Sequence, residues 1–197
     1  MANVYEAARA IPVLEEADVV VAGGGVAGCA AAWAAAKAGA KTFLLERNGC
    51  LGGVATASLM ANIGNRFLTA TGEQVVHGFP AEVVDRLIGA GAASPHWKTR
   101  EMPGVVIDSE RLKVILIEMM REAGVTTLTH ALGARPIMEG QAVKGVFVES
   151  KSGRQAIPAK AVVDCTGEAD LAWQAGAEVR METSTASILF KLANVDL

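Results

Sequence analysis

The chain has 197 residues, 51% hydrophobic, 20% charged and 5% aromatic, a composition that excludes disordered and fibrous classes and allows a buried core. Its 18 Lys and Arg against 21 Asp and Glu give a net charge of -3 at pH 7, and no basic run could track a phosphate backbone, so nucleic acid is not an expected partner. No apolar run reaches the roughly 18 residues of a membrane span, and Met1 to Asp18 lacks the uninterrupted apolar stretch of a secretory signal.

At roughly 100–200 residues per domain, the length suggests one domain with room for an inserted lobe. Asp18-Val19-Val20-Val21-Ala22 is a short β-branched run that stops at three glycines, as a buried parallel strand does. From Val26 to Ala38 alanine dominates, which predicts a helix, and Gly39 supplies its stop. Thr42 to Leu45 then reads as a second strand ending at Glu46, so strand, helix and strand together have the size of one βαβ unit.

Residues 59–107 lose this regularity. They contain one helix candidate, Pro80 to Ile88, and read as an insertion that covers a ligand. Asp108 or Ser109 caps a further helix running through Arg121, with Leu112, Ile115, Leu116 and Met119 on one face and Gly124 at its end. Val125 to Thr129 is the next strand. Turn signals at Glu139-Gly140 and Lys151-Ser152-Gly153 separate short strands, the clearest being Val143 to Glu149 and Arg154 to Ala159, in the manner of a β-meander. Ala161 to Asp164 reads as a separate buried strand leading into Cys165-Thr166-Gly167, and after Gly176 the pattern becomes extended again through Ser187 to Leu192.

The chemistry concentrates in Gly23-Gly24-Gly25-Val26-Ala27-Gly28. A dinucleotide's pyrophosphate needs donors close to its oxygens and no side chains in the way. Gly23 allows the tight turn out of the strand, Gly25 lets the backbone approach the phosphates, and Gly28 lets the helix pack close to the sheet. The amides at Val26 and Ala27 open the helix, whose N-terminus adds about half a positive charge. A glycine pattern alone is weak evidence, but this one follows a predicted strand and opens a predicted helix. Glu46, at the tip of the second strand, is the expected acceptor for ribose hydroxyls. The competing reading is a solvated charge beside Arg47.

Gly23 to Gly28, Ala32, Gly39 and Glu46, followed by Gly52-Gly53, resemble the FAD-binding fingerprint of the glutathione-reductase and fumarate-reductase superfamily. In that family the glycine pair lets the chain pass close to the cofactor. Val162 to Ala172 is similar to an Asp-x-Thr-Gly-Asp-x-Asp-Leu segment of a bacterial branch of FAD-dependent oxidoreductases, with Glu168 in place of the usual Asp; Thr166-Gly167 would be the cofactor-contacting turn. Ala35 and Thr42 stand where the family has larger aliphatic residues.

The resemblance implies an α/β, Rossmann-like FAD-binding domain with a parallel sheet and a β-meander over residues 17–58 and 108–176. Residues 59–107 and 177–197 would form part of an inserted cap or substrate lobe, incomplete at the C-terminus. It also implies FAD as cofactor, held by Gly23, Gly25, Val26, Ala27, Gly28, Glu46, Arg47, Gly52, Gly53, Thr166 and Gly167. The activity implied is oxidoreduction of a small-molecule substrate by hydride transfer through flavin N5. No histidine lies between Gly49 and Arg66, so dissociable FAD is expected. Family members are about twice as long, so the chain reads either as a fragment or as one completed by a second polypeptide or a second copy. Two rival readings remain: an NAD-binding dehydrogenase domain, against which Gly52-Gly53 argues, and a non-catalytic FAD-binding subunit.

Catalytic residues are not legible. His77, His96, Arg66 and Arg100 could hold an anionic substrate or move a proton, though a surface role is the commoner one for such residues. Cys29, Cys50 and Cys165 are odd in number and widely spaced, which predicts no metal site, a reducing cytoplasmic setting, and small hydrophobes or flavin neighbours. Trp33 and Trp173 read as packing residues.

Overall fold

The computed structural model describes residues 4, 6–64, 67–69, 71–95, 104–180, 182 and 188–192. Strand β1 (Ala17–Ala22) leads into helix α1 (Val26–Lys37) and then β2 (Thr42–Glu46), the predicted βαβ unit. A single 3₁₀ turn at Gly53–Ala55 precedes the short strand β3 (Asn62–Ile63), helix α2 (Phe79–Gly89) and strand β4 (Val105–Val106), which pairs with β3. Helix α3 (Ser109–Ala123) begins as expected: the Asp108 carboxylate accepts from the backbone amides of Glu110 and Arg111 at 2.8 and 3.3 Å. It ends at Gly124, whose φ of 79° closes the last turn in the left-handed region. Strands β5 (Thr126–Thr129), β6 (Leu132–Glu139), β7 (Ala142–Ser150) and β8 (Gly153–Asp164) and the short helix α4 (Asp170–Gln174) follow.

Six of these strands form one sheet in the order β5-β2-β1-β8-β7-β6. Neighbours from β5 to β8 are parallel, and β8, β7 and β6 are antiparallel to one another. The fold is therefore the expected Rossmann-like α/β architecture with its meander. One expectation needs correction. Arg154 to Ala159 and Ala161 to Asp164 are not two strands but one, the 12-residue β8, whose first half pairs with β7 and whose second half pairs with β1. The exposed Lys160, between two buried-looking stretches, mimics a break in the sequence.

Alternation along the strands feeds two cores. Val21 and Leu44 point to one face and pack with α1, α2 and α3 through Ala32, Val84, Leu87, Leu112, Leu116 and Met119. Val20, Ala22, Phe43 and Leu45 point to the other and meet Val146, Val148 and Ile157 of the meander and Leu171 of α4. The sheet curls enough that β6 returns over β1: a Cβ built on Gly133 would lie 3.1 Å from the Ala22 Cβ. Helix α2, in the segment read as an insertion, packs into the same core as α1 and α3, and Trp33 of α1 meets Phe79 of α2 at 5.8 Å between ring centroids.

Two further readings are corrected. Trp173 is 67% exposed on the short helix α4 and packs little, whereas Trp33 does pack. Residues 188–192 form no strand, and Ile188, Phe190 and Leu192 are exposed. Their apolar character reads as strand in a sequence, but no neighbouring strand pairs with them among the described residues.

Candidate functional site

A cleft of about 340 Å³ opens at the carboxyl ends of the parallel strands, where ligands bind in open α/β sheets. Its walls come from the turn after β1, the tip of β2, the chain around the 3₁₀ turn, the β5–β6 connection and the turn after β8. Seven of the eleven residues expected at the cofactor line it: Gly23, Gly25, Glu46, Arg47, Gly53, Thr166 and Gly167. Val26, Ala27, Gly28 and Gly52 stand outside the lining. The helix carries Val26 and Ala27 to its exposed side, and Gly28 and Gly52 are buried.

The glycines divide by what excludes a side chain. Gly23 has a φ of 97°, and a Cβ there would lie 2.2 Å from the Cys165 carbonyl oxygen. At Gly28 it would lie 1.7 Å from the Gly23 carbonyl oxygen. Both positions are closed by the protein's own backbone. Gly52 is closed by Thr56, whose hydroxyl donates to the Leu51 carbonyl at 2.6 Å and fixes the turn. Gly25 differs: its backbone is extended, φ −67°, and a Cβ would meet no protein atom within 4 Å. Nothing in the fold demands glycine there. Gly25 faces the cleft.

Gly25 is also the N-cap of α1, and no side chain caps that helix. Its first-turn amides are left to a ligand or solvent, and no acidic residue in that turn offsets the positive end of the dipole. Gly25 bridges to Gly52, and the Gly52 amide donates to the Gly24 carbonyl at 2.8 Å, which ties the first glycine loop to the second.

Glu46 is only 5% exposed, so the reading of a solvated surface charge is set aside. One carboxylate oxygen accepts from the Gly24 amide and the other from the Asn48 amide, each at 2.7 Å. The side chain is locked against the glycine loop, and each oxygen keeps a lone pair for a hydroxyl in the cleft. Arg47 beside it is exposed and also lines the cleft.

The turn after β8 is built on Asp164. One of its oxygens accepts from the Thr166 amide and hydroxyl, at 3.0 and 2.7 Å; the other accepts from the amides of Leu171 and Ala172, at 2.9 and 2.8 Å. Burial raises its pKa, but the hydrogen bonds from Ala172, Thr166 and Leu171 together outweigh that and hold the carboxyl below its ordinary value. The Thr166 hydroxyl accepts from the Asp170 amide at 3.0 Å, so it already serves the turn. Gly167, with a φ of 99° and open space around its missing Cβ, presents bare backbone to the cleft.

The β5–β6 connection escaped sequence reading. Ala131 of that connection and Leu132 and Gly133 at the start of β6 line the cleft beside Glu46, brought there by amides of His130 and Ala131 that donate to the carbonyls of Asn48 and Glu46. Its one local signal is Gly133; His130 takes a positive φ of 51° without being glycine. His77 is exposed, with its ring nitrogen 3.0 Å from the Gln74 carbonyl and away from the cleft lining; Arg66, His96 and Arg100 lie outside the described residues. Cys165 lines the cleft, and Cys29 is buried with its thiol pushed up to about 12, chiefly by burial. Cys50 is half-buried and does not line the cleft. No described segment of 59–107 lines the cleft; that region borders a second, apolar cavity beside it.

A parallel sheet, a glycine turn opening a helix, and an acid at the tip of the next strand define a dinucleotide-binding α/β protein. The chain belongs to the FAD dependent oxidoreductase family, whose model matches residues 18–195. It is 28% identical over 188 residues to digeranylgeranylglycerophospholipid reductase 2 of Methanothermobacter thermautotrophicus, a match covering 91% of this chain and 48% of that protein. The chain thus spans about half the length of that relative. THI4 of Thermovibrio ammonificans has a similar fold, with a TM-score of 0.57 and 22% identity over 81% of this chain and 61% of that one. So does a geranylgeranyl bacteriochlorophyll reductase-like protein of Thermoplasma acidophilum, with a TM-score of 0.59 and 19% identity over 83% and 43%.

Proposed function

We propose that this chain is the FAD-holding part of an oxidoreductase of the glutathione-reductase and fumarate-reductase superfamily, acting on a small-molecule substrate. The observation that carries the assignment is Gly25: it is bare where the fold itself would accept a side chain, at the uncapped start of α1, in the wall of the cleft. That combination suits a pyrophosphate, with backbone amides as donors and the helix dipole opposing its charge.

The remaining roles follow. Glu46, held by the Gly24 and Asn48 amides, accepts from ribose hydroxyls. Gly53 and Gly167 offer backbone at close range, and Arg47 and Thr166 flank the cofactor. Gly28 and Gly52 act by letting α1 and the second loop approach, and Val26 and Ala27 by their amides. When bound, FAD supplies a ring that accepts a hydride at N5 and returns electrons to an acceptor. The relatives named as reductases support electron delivery to an organic substrate. The boundaries 17–58 and 108–176 for the cofactor domain, with 59–107 and 177–197 assigned to substrate binding, belong to the same proposal, as does a cytoplasmic setting; no described helix is long and apolar enough to cross a membrane.

Titration of purified protein with FAD and with NADH by calorimetry tests this directly. The expected result is saturable FAD binding, a yellow protein, and free FAD on denaturation, with NADH binding weaker or not at all. Saturable NADH binding with no affinity for FAD would overturn the assignment.

A further inference from the structure

The second cavity, of about 260 Å³, lies where the start of α1, the 3₁₀ turn, β3, α2 and α3 converge. Its floor is core: Ala55, Phe79, Val83, Leu112 and Leu116 are all buried. Its rim is apolar yet exposed, with Val26 at 47%, Val54 at 51% and Met60 at 45%. Among the described residues, Asn62 is the single polar one that lines it. Exposed apolar side chains around a buried apolar floor are costly to leave in water and mark a binding site. The cavity is continuous in position with the cofactor cleft: Val54 lines both, and Val26 directly follows Gly25.

We infer that this cavity binds the aliphatic or alicyclic part of a small ligand beside the cofactor. Only the ligand's place next to a cofactor rests on the cleft holding FAD; the cavity's own chemistry stands on its lining. A charged or strongly polar group would lose its hydration there, with Asn62 alone among the described lining residues to replace it. The volume equals about nine water-sized groups, which sets the size of the apolar part.

The test is calorimetric titration of the full chain, flavin-free and FAD-loaded, with straight-chain alkanols from butanol to dodecanol. Affinity is expected to rise about fourfold per methylene, then stop rising near nine carbons. Ala55→Leu, which fills the floor, is expected to bring that limit down by about three carbons. Met60→Gln, at an exposed rim position where folding is not at stake, is expected to weaken every member of the series about threefold or more. A series without chain-length dependence, or one that neither variant alters, would overturn the cavity as a site. In the loaded protein, bound alkanol is expected to shift the flavin absorption bands; binding with an unmoved spectrum would refute its position beside the cofactor. Failure to bind FAD would count against the cofactor assignment alone, because the flavin-free series reads the cavity independently.

Discussion

If FAD binds as proposed, Gly25 and Gly28 differ in what a side chain would disturb: the ligand at the first and the fold at the second. Alanine at Gly25 adds a methyl that meets no protein atom, on an extended backbone that any residue adopts. Two small effects on stability oppose each other: restricting the unfolded chain stabilises by about 0.4–1 kcal/mol, and a poorer N-cap costs a similar amount. Flavin-free Gly25→Ala should therefore unfold within about 0.5 kcal/mol of the parent. Alanine at Gly28 would place Cβ 1.7 Å from the Gly23 carbonyl oxygen, which only backbone movement relieves, at a cost of about 3 kcal/mol or more. For FAD the order reverses in meaning. With the pyrophosphate held as proposed, the Gly25 methyl would displace a phosphate oxygen from its amide partners, and loss of one charge-assisted hydrogen bond costs about 1.5–3 kcal/mol, or roughly tenfold to hundredfold in Kd. Urea denaturation of the flavin-free protein and quenching of FAD fluorescence measure the two quantities separately. The reasoning is refuted if Gly25→Ala destabilises the flavin-free protein as Gly28→Ala does, or if its Kd for FAD is unchanged.

Removing the Asp164 carboxylate with Asp164→Ala leaves the Thr166, Leu171 and Ala172 amides without an acceptor, and should cost about 2 kcal/mol while weakening FAD binding through the loosened Thr166-Gly167 turn, by denaturation and titration. Because the folded pKa of Asp164 lies below its unfolded value, its contribution is fully present above about pH 4 and is lost as pH falls further through the folded value; Asp164→Asn should flatten that acid limb in a pH series of unfolding midpoints. Buried Cys29, with its thiol near 12, should resist iodoacetamide at pH 8 in the folded protein and alkylate only in denaturant, as read by mass spectrometry. Arg86 links Glu82 of α2 to Glu122 of α3 at 2.7 Å each, but the pairs are one-third to one-half exposed, so Arg86→Ala should shift stability by under about 1 kcal/mol.

What could be read without a structure was local. The β1-α1-β2 unit announces itself because each element ends on its own punctuation: glycines after Ala22, Gly39 after the helix, Glu46 at the strand tip. Helix α3 is equally self-contained between Asp108 and Gly124. Features that depend on distant partners were lost. Lys160 splits a sequence pattern because β8 changes neighbours there, from β7 to β1, and burial changes with it. Ala131 to Gly133 reach the cleft only because the sheet curls over Ala22, which no periodicity encodes. Trp173 illustrates the converse error: a large ring is usually buried, yet α4 turns Leu171 to the core and leaves Trp173 67% exposed. Part of the candidate site was legible because glycines and acids at fixed offsets state their purpose; its apolar neighbour was not, because valines and a methionine look alike in a core and at a rim.

The dual pairing of β8 also has a bearing on when the cleft exists. Ala22 and Asp164 are adjacent in the sheet but lie almost a whole domain apart along the chain, so the Gly23 and Cys165 turns meet only once β8 is laid against β1. Such non-local pairing is slow, since loop closure must be met before any contact rewards it. The glycine loop and α1 are neighbours along the chain, yet the loop has no facing wall until β8 docks. Nucleotide capture would accordingly be among the last events in the chain's maturation, and flavin fluorescence would serve as a clock for the completion of the whole sheet.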